Sequence, residues 1–176
     1  MPFIRNYSEG ETSEEAKFVM PSRESPIETA LHESVHAVIL RLYGRDIAEV
    51  VDHPDRVLTI LVEPQKYTVA ALMAPEVYMR LNNIAFTDHS VSNDRDAVAE
   101  CFRREDVESI RQDNRNLLVY MFQCPHVLAA ISILSARMDA ELREHRTMSG
   151  ASIHEIIDPI LIGSPYADDL RERLTG

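Results

Sequence analysis

The chain has 176 residues, 45% of them hydrophobic and 27% charged, with 29 acidic against 18 basic side chains and a net charge of −11. That composition supports one domain with a buried core, and an acidic chain without a basic cluster is a poor holder of nucleic-acid phosphates. Two cysteines, Cys101 and Cys124, exclude a disulfide scaffold, and no apolar run approaches the ~20 residues of a membrane span, so the expectation is a cytoplasmic protein with no nucleic-acid or membrane partner.

Residues 1–22 include the polar, acidic stretch Asn6–Lys17 and read as an arm without an apolar period. The domain is expected over residues 23–158 and a tail over 159–176. The first helix is announced by Ser25-Pro26-Ile27-Glu28, a capping box with proline at the tolerated first position, and Gly44 is its natural stop. Ile27, Leu31, Val35, Val38 and Leu42 form one apolar stripe along it. Two short β runs follow, Ile47–Val51 and Val57–Val62, around the turn chemistry of Asp52-His53-Pro54-Asp55. Beyond them the pattern is helical. Tyr67–Phe86 forms one helix or two, with Pro75 as a break or a fresh start. Ser92-Asn93-Asp94 reads as an N-cap cluster opening a helix to Arg104, and further helices cover Asp106–Phe122, Pro125 to about His145, and Ser149–Ile157. The expected fold is mainly α, a helical zincin-like domain with a small β-hairpin or sheet beside the first helix.

That helix carries His32-Glu33-Ser34-Val35-His36, an H-E-x-x-H pattern. Two histidines at i and i+4 share a helical face and reach one tetrahedral Zn²⁺ at about 2.0–2.1 Å. Glu33 stands about 100° round the helix from His32, beside the ion rather than on it, where a general base belongs. Composition alone gives roughly 0.03 such matches by chance, few enough for the motif to carry weight. A third protein ligand is needed. Asp94 is the first candidate, against the competing reading of an ordinary N-cap; Asp88 and His89 are neighbouring alternatives, with Asp96 weaker and Glu155 distant. Cys124-Pro125-His126 offers half a metal site, but Cys101 and Cys124 read as core thiols, and His53, His145 and His154 need no role.

Ala30–Val38 resembles the zinc helix of the FtsH-type, ATP-dependent zinc metallopeptidases, which reads H-E-A-G-H-A. Val91–Val98, with its Ser-Asn-Asp, is similar to the segment whose Asp is that family's third zinc ligand, and Val57–Pro64 is similar to the stretch after the zinc helix. The resemblance spans about residues 25–158 and rests on these two motifs. Ser34-Val35 replaces the family's small Ala-Gly pair, and Ala74-Pro75-Glu76-Val77 replaces its Gly- and Ala-Glu-rich helix. No Walker-A pattern is present, so a free-standing domain without an unfolding motor is expected.

The resulting expectation is a zinc-dependent endopeptidase acting on unfolded or extended polypeptides. Zn²⁺ sits on His32, His36 and Asp94, with Glu33 catalytic and the edge of Val57–Val62 pairing with the peptide. The competing expectation is a catalytically inactive zinc-binding relative serving as an interaction module. A homo-oligomer is left open.

Overall fold

Helix α1 (Pro26–Leu42) runs through the centre of the molecule. In the computed structural model, which describes residues 26–54, 56–63, 68–86, 88–101 and 107–165, Ala30 and every α1 residue from His32 to Leu42 are buried. The expected single stripe is therefore too narrow a description. The helix is buried on nearly all sides, polar site residues included, and is covered by α2 (Val69–Leu81), α5 (Pro125–His145) and the sheet. Its C-terminus closes as the glycine predicts: Gly44 has φ 66°, and Arg45 N–H reaches Leu40 O while Gly44 N–H reaches Arg41 O. The capping box at Ser25 and the 1–22 arm lie outside the described residues.

The two β runs form an antiparallel hairpin of β1 (Ile47–Asp52) and β2 (Val57–Leu61), with a register shift between Ile47 and Glu49. A third strand, β3 (Thr147–Ser149), adds antiparallel to the other side of β1, giving the order β2-β1-β3. Three residues are too few for a periodic signal, which is why the sequence does not announce β3. The mainly helical fold with a small sheet is as expected.

Three helices differ from the expected spans. Pro75 lies inside the single helix α2, whose N-cap Thr68 accepts from Ala71 N–H. Helix α3 spans Asp88–Cys101, so Ser92-Asn93-Asp94 is interior helix and not its start. Buried Val91 and Val98 bracket Asp94 on one helical face, and packing of that face against α2 outweighs the local capping preference. After α4 (Val107–Met121) and α5, α6 (Gly150–Leu161) is capped by Ser149 as expected but continues through Pro159, past the expected end at Ile157. Gly150 is obligatory there, because a Cβ would stand 1.7 Å from Ile47 O on β1.

A polar clamp ties α1 to α6. Buried Arg41 donates to both carboxylate oxygens of Asp158 at 2.8 and 2.7 Å and also pairs with Asp46. His154, expected to have no role, accepts from Ile47 N–H at 3.2 Å and so caps the start of β1. Asp158→Ala leaves a buried guanidinium short of its main partner and is expected to cost about 3 kcal/mol in urea denaturation.

Candidate metal centre

The i, i+4 spacing on α1 brings the two imidazoles edge to face, with Nε2 atoms 2.9 Å apart. Asp94 enters from α3, its Oδ2 at 3.0 Å from His32 Nε2 and 3.2 Å from His36 Nε2. All three side chains are secluded: His32 and His36 are buried, and Asp94 is 19% exposed. Two imidazole nitrogens and a carboxylate oxygen meeting at one point, in a buried site, form an acceptor-rich concavity that suits a cation. Their spacing approaches the ~3.3 Å edge of a tetrahedron with 2.0 Å bonds. Among the described residues, this is the group whose histidine and carboxylate atoms converge in this way.

The sequence-derived candidates separate clearly. His32, His36 and Asp94 come together. Asp96 and Glu155 are exposed and stand outside the group. Asp88 and His89 belong to the first turn of α3, and their side chains lie outside the described residues, as does the Cys101 side chain. Cys124 is buried in the core, as expected. Asp94 is no N-cap, which removes the competing reading of that residue.

His36 is oriented by a device that sequence reasoning missed. Its ring Nδ1 stands 2.8 Å from Ala71 O, and a carbonyl only accepts, so Nδ1 carries a proton and Nε2 is the nitrogen left to face the site. Ala71 O is available because the residue four places on is Pro75. Proline has no N–H for the helical bond, and its ring pushes the i−4 carbonyl aside. Pro75 thus turns a helix defect into a fixed acceptor for a candidate metal ligand. His32 Nδ1, by contrast, is buried without a hydrogen-bond partner among the described residues. Pro75→Ala restores a competing N–H. It is expected to lower zinc affinity by about 10- to 100-fold, the usual effect of losing an outer partner of a ligand. Calorimetric titration checks the affinity, and the melting temperature of the metal-free protein should not fall in parallel, because alanine improves α2.

Electrostatics in the metal-free chain follow from this packing. Burial alone lowers the His36 pKa, but the Asp94 carboxylate, helped by Glu33 and the Ala71 carbonyl, outweighs it and raises the value to about 9. Burial likewise opposes charge on Asp94, yet the two histidines hold its carboxyl well below the ordinary range.

Glu33 is buried beside the histidines, and Thr59 Oγ1 on β2 donates to its Oε2 at 2.6 Å. Thr59 was also missed. Its only sequence signal is a hydroxyl within the otherwise apolar run Val57–Val62. Ser34 and Val35, which replace the small pair of the resembling family, are both fully buried, and the Ser34 hydroxyl reaches Met138 Sδ on α5 at 3.7 Å. The larger residues are accommodated by the core contacts of α1.

Comparison with family models, curated proteins and solved structures yields no match. The chemistry of the centre therefore rests on its own geometry. Among the described residues no single helix is long and apolar enough to cross a membrane.

Proposed function

We propose that the chain is a zinc-dependent peptidase, with His32, His36 and Asp94 as metal ligands and Glu33 as general base. The resemblance to FtsH-type metallopeptidases in His32–His36 and Ser92–Asp94 agrees with this reading, and the convergence of Asp94 Oδ2 on both Nε2 atoms is the observation that carries it. Zinc held there supplies a Lewis acid that acidifies water and polarises a carbonyl. The buried Ala71 acceptor keeps His36 in the ligating tautomer. Thr59 fixes one oxygen of the Glu33 carboxylate, which leaves the other to accept the proton of the attacking water. The water oxygen bonds to the amide carbon, the C–N bond breaks, and Glu33 passes the proton to the departing amine.

Strand β2 is an edge of the sheet, hydrogen-bonded only to β1 among the described residues, and carries Thr59. An extended peptide added along that edge lies beside Glu33. Substrates are therefore polypeptide segments already extended or unfolded. Metal analysis of the purified chain, followed by hydrolysis of an unfolded protein with and without Glu33, tests the proposal.

A further inference from the structure

Helices α2, α3 and α4 enclose a cavity of about 380 Å³, and Asp94 is part of its wall. That volume lies in the range of small-ligand pockets. Met73, Val77, Val91, Val98 and Val119 supply an apolar lining. The charged lining is one-sided for so acidic a chain: Arg80, Arg95, Arg111 and Arg115 against Glu76 and Asp94. Glu76 is already committed. Arg95 binds its carboxylate with two bonds of 2.8 and 2.9 Å, and Arg80 donates to it at 2.9 Å. Asp94 is directed at the two histidines.

Arg111 and Arg115 are different. They stand one turn apart on α4, in line with Val119, and neither forms an ion pair or hydrogen bond among the described residues. Two guanidiniums unpaired among the described residues, lining a cavity with an apolar wall next to a candidate cation site, have a defined complement. It is a group with an apolar body and an anionic head, since arginine forks match carboxylates in geometry as well as charge.

We infer that this cavity is the specificity pocket of the metal centre and that it selects a peptide residue bearing a carboxylate. That carboxylate comes either from the free C-terminus or from an acidic side chain. The place of the pocket in a reaction rests on the peptidase reading; its binding preference does not, because Arg111 and Arg115 are present with or without metal and turnover.

The test measures binding of three fluorescent peptides of one apolar sequence: one with a free C-terminal carboxylate, one C-terminally amidated, and one amidated with an added Glu. Each is titrated into the Glu33→Gln chain, zinc-loaded and chelator-treated. A carboxylate-bearing peptide is expected to bind about tenfold or more tighter than the neutral amide in both forms, the scale of one charge-assisted contact. In Arg111→Gln/Arg115→Gln this preference should vanish while zinc content and melting temperature stay as in the parent. A preference limited to the free terminus assigns the pocket to chain ends, and one shown by the Glu peptide assigns it to acidic side chains. No carboxylate preference, or one that survives the double substitution and so belongs to the metal, overturns the inference. Absence of hydrolysis by the zinc-loaded wild type alongside an arginine-dependent preference overturns the peptidase reading and leaves the pocket standing.

Discussion

Purified without a histidine tag, the chain is expected to carry about one zinc ion per molecule, and His32→Ala, His36→Ala or Asp94→Ala is expected to lose it. Each substitution removes one of three protein atoms that already face one another at 2.9–3.2 Å, so affinity should fall by roughly 100-fold or more. Asp96→Ala serves as the control, because Asp96 is exposed on the same helix and outside the group. Zinc uptake is also expected to release protons near neutral pH, since His36, raised to about 9, must give up its Nε2 proton to become a ligand. The same shift sets the stability of the chelator-treated protein. His36 has a higher pKa folded than its ordinary 6.5, so its contribution is fully present below about 6.5 and is lost as the pH rises towards 9. Thermal unfolding across that window, with and without zinc, checks both points. A wild-type chain that binds no transition metal even after reconstitution would end the metal-centre reading.

Much of the centre is legible in the sequence alone, because the i, i+4 histidine pair depends only on helical geometry, and the helix announces itself by its cap, its apolar content and Gly44. Asp94 was legible as a residue but not in its setting. Its neighbours Ser92 and Asn93 are cap formers, and a local reading placed a helix start there. Only the burial of Val91 and Val98 against α2 shows that the helix is already under way. The residues that support the His36 ligand, the Glu33 base and the helix carrying both were not legible at all. Thr59, Ala71 and Arg41 act through partners 26, 35 and 117 positions away, and nothing in a local pattern encodes such a pairing. Pro75 is the instructive case. Read along the chain, it marks a helix break and a departure from the resembling family's sequence. Read across the structure, it frees the carbonyl that fixes the His36 tautomer.

Glu33→Gln is expected to lower hydrolysis of an unfolded substrate, such as denatured casein, by roughly 100-fold or more while leaving zinc content unchanged. Glutamine keeps the shape of the side chain and can still meet the Thr59 hydroxyl, so the fold around α1 and β2 should persist. What it lacks is a carboxylate to take the proton of the attacking water. Thr59→Val supplies the companion measurement. It leaves the Glu33 carboxylate chemically intact but removes the 2.6 Å bond that orients it, so kcat should fall less than in Glu33→Gln, with zinc affinity unaltered. Zinc-loaded wild type inert towards every unfolded protein and peptide would make the chain a metal-binding interaction module. Turnover that survives Glu33→Gln would place the activity at a different site.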